Sequence, residues 1–306
     1  MRKARTRQVD ASPARGSDKR RGLACMLAAC LLFSIMTVCV YAAALCQPSL
    51  PSTVVSFVRV MVNLAVLMAP ALLSGRIRDL FGDGRASLWL RGLFGASALM
   101  LSFFSIQRIG PGESTFIGAS SGVFVVLLSP WTLGQRNSGV VWFAIVGAFA
   151  GLFLLLKPEE RDQADLVGRA LALGSGFLAA LAYLMVARAG RSNPPQSVIF
   201  YFCIVAVALH LAYFAYAGFV LPDSADVWLI MLLGGISASG AQHYMTRAYQ
   251  LAPAALVSAV GYLSPVLSLL WSILLFSRTP GSNALVGCGL VLLCGVVLPF
   301  LTARRV

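Results

Sequence analysis

The sequence predicts an all-α membrane protein of ten transmembrane helices, built as two inverted five-helix repeats. Three observations predict it. First, the composition is too apolar for a soluble chain: 58% of the 306 residues are hydrophobic and 11% are charged, where soluble domains run near about 45–50% and 25%. Second, ten apolar segments approach the roughly 20 residues that a bilayer-crossing helix needs. Third, the second half of the chain tracks the first at a fixed offset.

In chain order the segments are 22–45, 52–74, 87–106, 112–133, 138–157, 167–188, 196–219, 225–248, 252–276 and 281–303. Turn chemistry separates them: "QPSLPS", "GDGRAS", "RIGPGES", "KPEERDQAD", "GRSNPPQS", "VLPDSAD", "QLAP" and "SRTPGS". The connections are short, so almost all of the mass lies in the membrane. The first segment is longer than a signal-peptide core, and Leu45 precedes Cys46 where a lipoprotein signal needs a small residue. It therefore reads as a first spanning helix. The chain divides into a basic tail without packed structure (1–21), a first five-helix repeat (22–157), a linker (158–166), a second repeat (167–303) and a short tail (304–306).

Charge gives the orientation. The net charge is +13, and the tail alone holds Arg2, Lys3, Arg5, Arg7, Arg15, Lys19, Arg20 and Arg21. With the N-terminus inside, Arg76, Arg78, Arg85, Arg91, Arg136, Arg188, Arg191, Arg247, Arg304 and Arg305 fall on the same side. Only Arg108, Lys157, Arg161, Arg169 and Arg278 fall outside. The positive-inside bias places both termini in the cytoplasm of a cell's inner membrane. No aromatic residues interleave the basic tail, so it reads as a retained cytoplasmic segment, with no nucleic-acid partner. The cysteines at 25, 30, 39, 46, 203, 288 and 294 sit in apolar runs and form no CxxC. They read as small buried hydrophobes, and no metal or cofactor is implied.

Displaced by 142 residues, "PSTVVSFVRVMVN" (51–63) meets "NPPQSVIFYFCIV" (193–205), Gly92 meets Gly234, and Pro111 meets Pro253. Five spans per half is an odd number, so the second half enters the membrane from the opposite side. That is the plan of secondary transporters, whose solute site lies near the midplane between the halves. The partners implied are a small-molecule solute and the lipid bilayer. An intramembrane lipid-modifying enzyme needs clustered acids, His or Cys at the membrane surface, and none is present. No filter-like ring sequence favours a channel.

The stretches "LRGLFGASALMLSFFSIQRIGPGESTFIGASSGVFVVLLSPWTLGQR" (90–136) and "GGISASGAQHYMTRAYQLAPAALVSAVGYLSPVLSLLWSILLFSRTPG" (234–281) resemble the drug/metabolite transporter superfamily, of the ten-helix EamA permease type. Arg91 matches an arginine opening helix 3 in that family, Arg59 one in helix 2, and Tyr262 with Pro265 its helix 9 "Y-x-x-P" element. The resemblance covers about residues 20–303. It implies two halves around a central cavity, with spans 5 and 10 peripheral, and small metabolites, often amino acids or their derivatives, as solutes. The chain departs from the family at Gln135 and Arg278, where glutamates are usual, and at Gly122, where helix 4 usually has proline. A flippase of lipid-linked carriers on the same fold is the alternative; it would favour a lateral opening and a more basic cavity.

Polar residues inside spans are the informative ones, because burying them in hydrocarbon is costly. Arg59 lies in the apolar run "VVSFVRVMVNLAVLM". It is either a site for a solute carboxylate or phosphate, its planar fork suited to bidentate contact, or a structural arginine. Asn63 follows four residues later on the same face, and Tyr201 is the repeat-related partner of Arg59. In span 8, Gln242, His243 and Thr246 fall close together; His243 reads as a proton carrier or as a helix contact. Ser121 in span 4 and Tyr262 in span 9 complete the cavity candidates, Tyr262 as a stacking surface. Small-residue faces around Gly147 and Gly151 in span 5 and in "GCGLVLLCG" (287–295) read as packing or as a homodimer surface. Glu113, the carboxylate singled out near a span, sits at the edge of span 4. With no acid at midplane, the expected solute is anionic or zwitterionic rather than cationic.

Overall fold

The computed structural model describes residues 16–133, 165–252, 254–277 and, in short pieces, 146–147, 150–151, 154, 281–282, 285–290 and 292–293. Expected spans 5 and 10, with Gln135 and Arg278, lie wholly or largely outside the described residues. The rest is helical: α1 (Gly16–Cys46), α2 (Ser52–Leu73), α3 (Ala86–Ile109), α4 (Pro111–Gly118), α5 (Ser121–Leu133), α6 (Leu166–Ala189), α7 (Pro195–Ala217), α8 (Ala225–Leu251), α9 (Ala254–Gly261) and α10 (Leu263–Phe276). Six segments are long and apolar enough to cross a bilayer: Asp18–Cys46, Ser52–Leu73, Ala86–Ile109, Pro111–Thr132, Leu166–Ala189 and Pro195–Ala217. The chain is a multi-pass membrane protein.

Three elements differ from the sequence expectation. Helix α1 starts at Gly16 rather than Gly22, because Lys19, Arg20 and Arg21 are good helix formers. Expected span 9 is broken at Tyr262 into α9 and α10. Pro265, at the third position of α10, has no N–H to reach back to the Gly261 carbonyl, so an α-helical turn cannot continue there. Expected span 4 is broken at Ala119–Ser120. No proline does this; the run Gly118-Ala-Ser-Ser-Gly122 is poor in helix propensity, and a glycine costs about 1 kcal/mol in a helix interior.

The two breaks fall at matching places. Cys46 and Ala189, Ser52 and Pro195, Pro111 and Ala254, Gly118 and Gly261, and Leu133 and Phe276 are element boundaries that each recur 143 residues apart. Packing repeats in the same way. The most extensive interfaces are α1 against α8 and α3 against α6; α4 on α10 is matched by α9 on α5, and α4 on α6 by α9 on α1. Helices α2 and α7 pack on each other. Every one of these contacts is preserved when first-half helices are exchanged for their second-half counterparts.

Serines stitch the two large seams. Ser175 Oγ of α6 donates to the Ala98 carbonyl of α3 at 2.8 Å, and Ser237 Oγ of α8 donates to the Leu32 carbonyl of α1 at 2.7 Å. In a bilayer there is no hydrophobic force between helices, so close packing and such bonds hold the bundle. One apolar core, including Val54, Leu99, Phe103, Ile106 and Phe202, gathers α1, α2, α3, α7 and α8. A second, including Met26, Leu88, Val198 and Met245, lies toward the other ends of the same helices.

Candidate solute cavity

A cavity of about 230 Å³ lies inside the bundle. Helices α1, α3, α6 and α8 wall it, the two helix breaks close it, and α2 contributes a single residue, Arg59. Breaking a helix inside a membrane exposes backbone, which is tolerated where it lines a protein cavity. Gly118, Ala119, Ser121 and Gly122 come from the first break, and Gly261, Tyr262, Ser264 and Pro265 from the second.

Two arginines define its charge. Arg59 retains 5% of its surface exposed and Arg91 3%, and both line the cavity. Arg91 lies one turn into α3, and its side chain runs along the helix to rest on Gly95, where a Cβ would collide with its terminal nitrogen. The ring of Phe202 from α7 serves both cations, 4.9 Å from Arg91 Cζ and 5.9 Å from Arg59 Cζ. Phe103 lies 5.9 Å from Arg59 Cζ. Both Nε atoms are buried with no hydrogen-bond partner, and among the described residues neither arginine joins an ion pair. Ring contacts of this kind partly compensate a buried cation but do not neutralise it.

The remaining lining is aromatic, apolar and hydroxylic. Tyr183 and Tyr249 stack at 5.4 Å with an interplanar angle of 20°, and Tyr249 shares a 3.2 Å hydrogen bond with Ser258. Phe33, Met36, Leu99 and Phe103 form an apolar wall, and Thr37, Ser102 and Ser114 add hydroxyls. The amide of Gln242 is buried in the lining, and its Nε2 has no hydrogen-bond partner.

Of the residues singled out in the sequence, Arg59, Ser121, Gln242 and Tyr262 line this cavity, and the other four do not. Asn63, with Nδ2 unpartnered, and His243 instead line a groove of about 630 Å³ between α2, α7 and α8, together with Ser74, Arg76 and Asp79. Thr246 is buried and donates to the Gln242 carbonyl of its own helix at 2.8 Å. Tyr201 donates its hydroxyl to the Phe81 carbonyl at 3.1 Å, bracing α7 against the α2–α3 connection. Arg91 was counted among the inside charges, and the sequence reading gave neither Phe202 nor Tyr183 a role. The glycine one turn beyond Arg91 is the signal that its side chain has a path along the helix.

The carboxylates sit elsewhere. Arg169 Nε of α6 donates to Glu113 Oε1 of α4 at 2.5 Å. Arg108 Nε of α3 donates to Asp165 Oδ2 at 2.6 Å. Asp165 also caps α6 by accepting from the Gly168 N–H at 2.8 Å. That backbone bond first, and the Arg108 guanidinium second, hold the Asp165 carboxyl below its ordinary range. The two ion pairs clamp α3 and α4 to α6 at one end of the cavity. The other histidine, His210, is fully buried between α7 and α2: Nδ1 donates to the Ala206 carbonyl at 2.7 Å, and Nε2 meets Ser56 Oγ at 2.5 Å.

A helical bundle that crosses the membrane many times and encloses a charged, solute-sized cavity defines the class of polytopic membrane carriers. The model of the EamA-like transporter family matches residues 20–157 and 166–300, and the chain belongs to that family. It is a transporter protein, not an enzyme. It is 24% identical over 279 residues to the pseudopaline exporter CntI of Pseudomonas aeruginosa (strain UCBPP-PA14), covering 91% of this chain and 96% of that one. It is 25% identical over 279 residues to a riboflavin transporter of Vibrio cholerae serotype O1, covering 89% and 91%. Solute carrier family 35 member G1 of Mus musculus is 26% identical over 208 residues, 64% of this chain and 56% of that one. A solved crystal structure with 20% sequence identity shares the fold, with a TM-score of 0.68 over 93% of this chain and 98% of that one.

Proposed function

We propose that the protein is a secondary transporter that moves a small anionic or zwitterionic metabolite across the inner membrane by alternating access. Two five-helix repeats of opposite topology, 22–157 and 167–303, would rock about the cavity, with 158–166 as linker and both termini cytoplasmic. The recurrence of element boundaries and of helix contacts supports the repeat. The observation that carries the solute class is the placement of Arg59 in the cavity wall, buried and without a carboxylate partner. A buried guanidinium is held in hydrocarbon at high cost, and a solute carboxylate or phosphate supplies the bidentate acceptor that it lacks. The names of the relatives, a pseudopaline exporter and a riboflavin transporter, fit an organic metabolite rather than an inorganic cation.

The test is counterflow into proteoliposomes with a labelled metabolite panel containing carboxylates, phosphates, amino acids and organic cations. Accelerated exchange of anions or zwitterions, lost in Arg59→Gln with the protein still monodisperse, is the expected result. Exchange of cations alone, or anion exchange indifferent to Arg59→Gln, ends this reading.

A further inference from the structure

From the charge carried by the cavity as a whole, we infer that its solute is a dianion: a small molecule bearing two carboxylates, or one phosphate group with two negative charges. The inference rests on the transport reading above and narrows its solute class.

The argument is one of charge balance and hydrogen-bond balance. Arg59 and Arg91 both border the cavity, and both guanidiniums flank the same Phe202 ring, so they act on one end of one space. Among the described residues no carboxylate pairs with either. The acidic residues are Asp10, Asp18, Asp79, Asp83, Glu113, Glu159, Glu160, Asp162, Asp165, Asp223 and Asp226; α2 and α3, which contribute Arg59 and Arg91, hold none, and Asp226 sits in the first turn of α8, about 24 Å along that helix from Gln242. Glu113 is engaged with Arg169, and Asp165 with Arg108. The cavity lining therefore carries two positive charges in a medium that solvates charge poorly, where like charges repel strongly.

A monoanion would leave one of those charges uncompensated. A zwitterion would add a third cation, for which the lining offers only neutral acceptors. A dianion brings the site to neutrality. The orphan atoms agree: Arg59 Nε, Arg91 Nε and Gln242 Nε2 are all buried donors without acceptors. A site built of unsatisfied donors is completed by a solute rich in acceptors. Its size, about 230 Å³, suits a compact metabolite rather than a nucleotide or a lipid.

The experiment measures binding to the purified full-length protein in nanodiscs by competition against a labelled anion. The probes are succinate, monomethyl succinate, inorganic phosphate at pH 8 and alanine. Succinate or phosphate should bind at least roughly tenfold tighter than monomethyl succinate and alanine, because one unpaired buried charge decides between them. The order of succinate and phosphate separates two carboxylates from one phosphate group. Arg91→Gln, and independently Arg59→Gln, should each collapse the gap between succinate and its monoester, while Arg91→Lys keeps it. The comparison on the unmodified protein stands even if a variant fails to fold. Monoester or alanine binding as tight as succinate overturns the dianion assignment and leaves the anion-or-zwitterion transporter intact. Absence of binding by every probe overturns both.

Discussion

Tyr262 lies against Gly122, so that the two helix breaks touch: a Cβ built on Gly122 would stand 2.8 Å from the tyrosine hydroxyl and 3.1 Å from the ring carbons nearest it. A proline or any side chain at 122 would compete with Tyr262 for the same space. The glycine at 122 is thus matched to its neighbour. Gly122→Ala should displace the ring and raise the KM for solute several-fold, with a smaller change in kcat. Tyr262→Phe removes the closest atom, so the Gly122→Ala/Tyr262→Phe double variant should lose less than the two single losses combined. Strict additivity in uptake kinetics would show that the two residues act separately.

Gly95 makes the converse point, since its missing side chain is where Arg91 rests. Gly95→Ala should raise or preserve thermal stability, because alanine is favoured over glycine in a helix by about 1 kcal/mol. It should nevertheless weaken anion binding as Arg91→Gln does, by pushing the guanidinium off its seat. Loss of stability and binding together would mean that the helix, rather than the arginine, had been disturbed.

The Glu113–Arg169 pair is mostly buried, with side-chain exposures of 21% and 8%. Glu113→Gln removes the charge from this mostly buried pair and should destabilise the protein by about 2–4 kcal/mol, read as a fall in melting temperature in detergent. Asp165 adds a pH dependence of known sign. Its carboxyl is held below the ordinary value, so its contribution is complete at neutral pH and is lost as pH falls through the lowered pKa. Acid unfolding of Asp165→Asn should begin at higher pH and be less steep than in the parent. An unchanged acid limb would show that the cap contributes nothing.

The two histidines should separate cleanly on substitution. His210 fills a fully buried site and is bonded through both ring nitrogens, so His210→Ala should cost about 2–4 kcal/mol of stability through the space and bonds it leaves. His243 is exposed and lines only the outer groove. His243→Asn should leave uptake and its pH profile unchanged; a flattened profile would restore it as a proton carrier.

Much of the architecture was legible because bilayer thickness imposes length and composition on a span. The segments that became α1, α2, α3, α6 and α7 could be read almost directly. The broken helices were harder: Pro265 signals its break, whereas the break before Ser121 rests only on a run of small residues. For the cavity, an arginine or a glutamine inside a span is conspicuous, and Arg59 and Gln242 stood out. Arg91 did not, since a basic residue near a helix start looks like an interfacial anchor, and only the long side chain carries its charge inward. Adjacency in sequence also misled. Successive helical residues point about 100° apart, so Gln242 borders the cavity while His243 borders the groove. Arg59 and Asn63 share a face, yet a full turn separates them along the axis, enough to border different spaces.

Phe202 belongs to a helix that contributes nothing to the cavity lining, yet its ring lies within reach of both buried guanidiniums. On the reading proposed above, Phe202 spaces the two solute-binding guanidiniums from behind the cavity wall. Selectivity can drift or be re-engineered from α7, behind the wall, by changing the size of one aromatic ring while every solute-facing side chain stays the same.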